Sequence, residues 1–333
     1  MIKESLFRSQ RTSRQALVGV CVPEPPPGFN LPTPVPNMRL WVSWACEQGV
    51  AALLHANFMK LGGRLESEGM ERLERFAWDC AFASEQARET VSRIAQKANS
   101  ASVDLLFLKG VTLARRYYPQ EDKRPVNDVD VYARFEDLDS LDAILRVLGY
   151  KKTREDGSER AYLAQNRLTP VEVHWRFVNS ARLRANLAEE DERLWQNAAR
   201  LSFSGVAVAI PGHADSFRHA CIHAAHHHQF SRIIWLVDIL QIIQAARRDN
   251  VSVNDLCEGA HSPGERLAIG AALRFVVELF PWARAEIPPG FLPRNPWTAL
   301  LFYRLSANAI LTSESRWLKF RRKLFREALK LHG

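Results

Sequence analysis

Apolar positions recur at helical spacing twice before residue 100, and then the period changes. Leu40, Val42, Trp44, Ala45, Val50, Leu53, Leu54 and Phe58 predict a helix from Met38 to about Leu61, stopped by Gly62-Gly63. Leu73, Phe76, Ala77, Cys80, Ala83, Ala87, Val91 and Ile94 form one stripe and predict a longer helix from about Ser67 to Asn99. From Val103 to Leu108 a short continuous apolar run suits a buried strand, GVTLARRYY suits a helix, and VDVYARF reads as a second strand. A helix over Asp137 to Leu148, ended by Gly149, and strands at Tyr162 to Gln165 and Thr169 to Phe177 complete the block. The expected class is α+β: a small, mostly antiparallel or mixed sheet with flanking helices. Past Asn179 the pattern is mainly helical, with helices at about Ala188–Ala199, His213–Gln229, Arg232–Arg248, Val253–Ala260, Pro263–Leu279 and Trp297–Leu331. LSFSGVAVAIPG (Leu201 to Gly212) interrupts it as a strand or hairpin.

The division expected from this pattern is a Pro-rich extension at 1–37, a helical region at 38–102, a core at 103–179 and a mainly helical C-terminal domain at 180–333. VPEPPPGFNLPTPVP holds seven of the 17 prolines, a density that blocks helix and central strand alike and predicts an extended segment outside the fold. A hydrophobic share of 47% and a charged share of 25% are those of a chain with a packed core. No apolar run is long enough to cross a bilayer and no leader precedes the first charges, so the expected location is cytoplasmic. The five cysteines are scattered without CxxC spacing and are expected to be buried thiols. Of the net charge of +8, the segment from Arg316 to Lys330 supplies +6 through seven basic residues and one acidic one. The rest of the chain is nearly neutral, which argues against a polynucleotide face spread over the body. The basic C-terminal helix itself can contact an anionic partner.

The stretch Leu105 to Asp130 concentrates the candidate chemistry. Lys109-Gly110 stands where a strand turns into a helix, a place where backbone N–H groups and the helix dipole favour an anion. Asp128 and Asp130 are one residue apart in an extended segment and so share a face. Hard oxygen ligands of this kind suit Mg²⁺ carried with nucleotide phosphates. A second cluster is His219, His223, His226 and His227, which fall at i, i+4, i+7 and i+8 on roughly one helix face, with Asp238 on the next helix. It can bind a transition metal, or it can serve as hydrogen-bonded packing between two helices.

The ordered set LKG (Leu108 to Gly110), Arg124, DVDVY (Asp128 to Tyr132), VEVHW (Val171 to Trp175) and HAAHHH…WLVD (His223 to Asp238) resembles a family of bacterial uncharacterised nucleotidyltransferases. That family lies within the DNA polymerase β-like superfamily, and the resemblance covers roughly residues 40 to 245. It implies a small mixed sheet carrying the acidic pair, with a third carboxylate on a neighbouring strand. The implied reaction moves a nucleoside monophosphate from an NTP, such as ATP, to an acceptor hydroxyl. Two Mg²⁺ ions would be held by Asp128, Asp130 and Glu172, with Glu172 as third ligand or as the base for the acceptor. Lys109, Gly110, Thr112 and Arg124 would bind the phosphates, and His174, His223, His227 and Asp238 are possible pocket residues. Two features depart from the superfamily pattern: Lys109-Gly110 in place of Gly-Ser, and Glu172 where Asp is common. The acceptor stays open between a small molecule, a peptide or protein, and RNA. Other readings are a non-catalytic nucleotide- or partner-binding module of the same fold, which loses ground if the carboxylates converge, and a metallohydrolase centred on the histidines.

Overall fold

The computed structural model describes residues 11–31, 38–63, 67–164, 169–177, 190–258 and 262–291, together with Lys323, Leu324 and Glu327. In chain order it forms α1 (Arg11–Val20), α2 (Met38–Gln48), α3 (Ala51–Lys60), α4 (Ser67–Ser100), β1 (Leu105–Leu108), α5 (Lys109–Tyr117) and β2 (Val129–Ala133). Then come α6 (Leu138–Val147), β3 (Tyr150–Glu155), β4 (Glu159–Ala164), β5 (Val171–His174), α7 (Glu190–Gln196), β6 (Ala199–Phe203) and β7 (Val206–Ile210). The chain continues with α8 (His213–Ile222), a π-helical turn (His223–His227), α9 (Ile233–Arg248), α10 (Val253–Cys257) and α11 (Pro263–Leu279). It divides into two compact units, one comprising 79–216 and the other 1–78 with 217–333.

The unit 79–216 is built on one seven-stranded sheet in the order β3-β4-β5-β2-β1-β7-β6. The sheet is mixed, as the α+β reading expects: β2 runs parallel to β5 and β1 parallel to β7, and the remaining neighbours are antiparallel. Strand alternation decides which residues go inward. Leu105, Phe107, Val129, Val131, Val171 and Val173 join Ala87, Val91, Ile94 and Ala98 of α4, and Leu141 and Leu145 of α6, in a single buried cluster. Each fully buried apolar side chain of this size contributes about 1.5–3 kcal/mol, so the register of β2 and β5 is firmly specified. The intervening positions of these strands therefore face the other side of the sheet.

Three elements differ from the sequence expectation. β3 (YKKTRE) has one buried residue in six and no apolar alternation, so its pairing with β4 is set by the backbone ladder rather than by a hydrophobic signal. The hairpin β6–β7 lies outside the expected 103–179 core yet extends the same sheet through β1. Its turn, Ser204-Gly205, has φ of 48° and 83°, the two positive values that a tight two-residue hairpin needs. The third difference is at the N-terminus, where α1 precedes the Pro-rich run and Leu17, Val18, Val20, Cys21 and Val22 are buried rather than outside the fold.

In the unit 1–78 with 217–333, the helix expected over 38–61 is two helices. They are broken at Gly49 (φ 74°), whose missing side chain leaves room for Ile234: a Cβ there would lie 3.3 Å from it. Asn57 of α3 ties down the chain after α1 by donating to the carbonyls of Val20 (2.9 Å) and Val22 (2.6 Å). Asn57→Ala leaves both buried carbonyls without that donor and is expected to destabilise this region by about 1–3 kcal/mol. Limited proteolysis should then cut the segment around 11–22 faster than in the wild type. α11 matches its expected span, Pro263–Leu279, because Ser262 caps it by accepting from the Glu265 amide and proline stands in its first turn. The helix expected at Trp297–Leu331, and with it most of the basic tail, lies outside the described residues. No helix among the described residues is long and apolar enough to cross a membrane.

Candidate active site

The side of the sheet opposite the apolar cluster carries the acids. In the parallel β2–β5 pair Asp130 stands directly beside Glu172 and Tyr132 beside His174, and Glu172 and His174 are two apart on one face. One donor atom each from Asp130, Glu172 and His174 lies within 4.8 Å of the other two. Asp128 sits just before β2 on the same side by alternation, and its charge is felt at both Glu172 and Lys109.

Lys109 occupies the turn from β1 into α5 with φ of 50°, a left-handed backbone that is uncommon for a residue with a side chain and concentrates at functional sites. That conformation brings its Nζ to 2.6 Å from Asp130 Oδ1 and 3.3 Å from His174 Nε2. Thr112, expected at the phosphates, donates its hydroxyl back to the Lys109 carbonyl (3.0 Å) and so holds the turn. Gly110 leaves room for Arg124. A Cβ there would sit 3.0 Å from Arg124 Nη1, and that guanidinium is anchored by donating to the Pro125 carbonyl (2.9 Å).

The electrostatics follow from burial and crowding. Burial works to raise the Asp130 carboxyl, but the Lys109 ammonium and the bond from His174 outweigh it and hold Asp130 below the ordinary carboxylate range. Burial and then the Asp130 charge push Glu172 up to about 7, and the same two causes raise Asp128. Burial, reinforced by Lys109, lowers His174 and keeps it neutral. Its Nε2 donates to Asp130 Oδ1 over 2.9 Å, which turns Nδ1 toward Glu159 Oε2 at 3.7 Å. Three acids whose proton affinities are split by burial, by the Lys109 and His174 partners of Asp130 and by their repulsion form the kind of oxygen set that a divalent cation relieves.

The arrangement brings together Asp130, Glu172, His174 and Lys109, with Asp128, Gly110 and Arg124 around them. His223, His227 and Asp238 belong to the other unit. Two residues enter without a sequence signal: Glu159, brought beside His174 by the β4–β5 register, and Arg154 of β3, 3.8 Å from Glu172. Arg154 lies on a polar strand that no periodicity marks, and Glu159 lies at the start of β4, ahead of the strand expected at Tyr162 to Gln165.

Comparison with solved structures gives likenesses of fold at low identity. A nucleotidyltransferase-like antigenic protein from Paracoccidioides brasiliensis matches with 18% identity and a TM-score of 0.42, over 60% of this chain and 91% of that one. The antibiotic-resistance factor ANT(2'')-Ia in solution matches with 12% identity and a TM-score of 0.38, over 51% and 86%. A crystal structure of ANT(2'')-Ia in complex with adenylyl-2''-tobramycin matches with 13% identity and a TM-score of 0.38, over 49% and 91%. A comparison with curated proteins returned no match. A family match carries the assignment instead: it runs from residue 36 to 281, most of the 333-residue chain and the whole of the sheet. The chain belongs to the family of uncharacterised nucleotidyltransferases.

Proposed function

We propose that the protein is a Mg²⁺-dependent enzyme that moves a nucleoside monophosphate from an NTP to an acceptor hydroxyl and releases pyrophosphate. The observation that carries this reading is the side-by-side placement of Asp130 and Glu172 on parallel strands, with Asp128 preceding and Lys109 facing them. The donor chemistry fits a hard divalent cation: Asp128, Asp130 and Glu172 offer carboxylate oxygens, two of them with raised proton affinity. When bound, two such ions would neutralise the charge that develops on the attacking and leaving oxygens.

The protein's own groups then have separable tasks. The Lys109 ammonium, already set among acids, is positioned to exchange Asp130 for a phosphate oxygen. The amides that open α5 and the Arg124 guanidinium add donors for the triphosphate. His174 holds Asp130 in one rotamer by the bond from Nε2. Glu172, on the strand beside Asp130, would serve as the third ligand or as the group that takes the acceptor hydroxyl proton as that oxygen attacks the α-phosphorus. The bond from the α-phosphorus to the bridging oxygen breaks, and its electron pair leaves with pyrophosphate. A cytoplasmic setting, where NTPs are available, belongs to the same proposal.

The test is incubation with each NTP labelled at the α-phosphate, Mg²⁺, and small-molecule, peptide and RNA acceptor pools. Transfer of label with stoichiometric pyrophosphate, abolished by EDTA and restored by Mg²⁺, is the expected result. Absence of NTP binding with any divalent ion would overturn the reading. A gentler probe is Gly110→Ala, which displaces the Arg124 guanidinium by a few tenths of an ångström. Its KM for NTP should rise roughly threefold to tenfold, equivalent to about 1 kcal/mol, with the fold unchanged.

A further inference from the structure

The histidines of the unit 1–78 with 217–333 are used by nothing above, and their backbone is unusual. The helix α8 ends in the π-helical turn His223–His227, closed by the His228 amide donating to the His223 carbonyl over 3.3 Å. In an α-helix of 3.6 residues per turn, residues five apart lie about 140° round the axis from one another. The wider π turn instead brings His223 edge-on to His228, with ring centroids 4.5 Å apart at 73°, and their Nε2 atoms meet at 3.0 Å. The next two residues, Gln229 (φ 45°) and Phe230 (φ 53°), are both left-handed without being glycine. Phe230 is buried with its ring 4.7 Å from that of Phe275, and its amide donates to the Ala224 carbonyl (2.8 Å), so the turn is locked from below. From the other side the Trp235 indole stacks on the His228 ring at 3.8 Å and 12°, which fixes the plane of that imidazole.

We propose that His223 and His228 are ligands of a transition-metal site of the Zn²⁺ class, created by the π turn and completed by His227 or His219. Two nitrogens on one tetrahedral zinc, each about 2.1 Å from it, stand about 3.4 Å apart. The observed 3.0 Å needs an opening of a few tenths of an ångström. In the hydrogen-bonded form one ring's Nε2–H donates to the other Nε2. A metal takes the place of that hydrogen, and the donor ring carries its proton on Nδ1 instead, so both ligands are neutral imidazoles and no net proton is released. Among the described residues these histidines do not present three converging donor atoms as they stand. A third donor from His227 or His219, whose rings lie 5.5 and 5.9 Å from that of His223, therefore requires a change of side-chain rotamer on binding. Imidazoles select Zn²⁺, Ni²⁺, Co²⁺ or Cu²⁺ over Mg²⁺, so an all-histidine site does not compete with the carboxylate site for Mg²⁺. A bound metal would fasten the π turn to the start of α9 through His228 and Trp235.

The experiment uses the full chain purified without a polyhistidine tag. Equilibrium dialysis against Zn²⁺ should give one ion per chain for the Asp130→Asn/Glu172→Gln double variant, in which the carboxylate site is removed, and at least one for the wild type. His223→Ala and His228→Phe should each lose affinity by more than the roughly 10–100-fold typical of an outer-shell change. His228→Phe keeps a ring stacked on Trp235 and so removes the nitrogen without the packing. Independently, Co²⁺ or Ni²⁺ should quench tryptophan fluorescence in the wild type, and most of that quench should vanish in Trp235→Phe. Zn²⁺ binding that is absent in the wild type, unchanged in both histidine variants, or lost only with the two carboxylates would overturn the proposal.

Discussion

Asp130→Asn is expected to reduce nucleotidyl transfer by about 10³-fold or more, with the sheet intact. Asp130 is buried at the centre of the site, and its Oδ1 receives both Lys109 Nζ (2.6 Å) and His174 Nε2 (2.9 Å). Amide for carboxylate keeps the shape and one acceptor oxygen, so His174 retains a partner. What is lost is the negative charge that would hold a cation, a contribution of several kcal/mol at the transition state. Each 1.36 kcal/mol is a factor of ten in rate. The measurement is kcat/KM for label transfer at fixed Mg²⁺, beside circular dichroism of the variant. Asp139→Asn, whose side chain is 99% exposed, serves as the control and should behave as wild type. Activity of Asp130→Asn above about a tenth of wild type, a loss under 1.4 kcal/mol, would remove the residue from the chemistry.

The largest expected effect on stability lies in the other unit. Arg218 Nε donates to Glu265 Oε1, and both side chains are 1% exposed. Glu265 is in the first turn of α11, where the helix dipole adds to the attraction. Removing one member leaves a buried charge without its counter-ion, so Arg218→Ala should cost about 3–5 kcal/mol. That is a large fraction of the roughly 5–15 kcal/mol by which domains are stable. Replacing both residues with apolar ones, Arg218→Met with Glu265→Met, should recover much of the loss, because desolvation of the pair offsets most of its Coulombic gain. Chemical denaturation of the two single variants and the double closes the cycle. Additive losses in the double variant would contradict a directly coupled pair.

The legible parts of the fold were those with a period. The stripe Leu73 to Ile94 produced α4 to within a residue of its expected end, and Pro263 with Ser262 marked α11 at both ends. The α+β class followed from the change of period at Val103. β3 was invisible because a solvent-facing strand of lysines, threonine and arginine carries no alternation, and α1 was hidden by the prolines that follow it. The break at Gly49 depends on the approach of Ile234, a contact between residues far apart in the chain.

The same division runs through the site. Sequence alone determined the chemical inventory: a Lys-Gly turn, an acidic pair on one strand face and a run of histidines, all local facts of spacing and side-chain type. Glu172 of VEVHW was marked as a third carboxylate only by the family resemblance. Only the tertiary structure decided who stands beside whom. The parallel register of β2 and β5 set Asp130 against Glu172 and drew His174 into the same cluster. A left-handed Lys109 turned its ammonium onto Asp130, and the Thr112 hydroxyl donates to the carbonyl of that same turn. A π turn, rather than an α turn, paired His223 with His228. Strand register and backbone handedness depend on contacts between distant segments, and no window of sequence contains them.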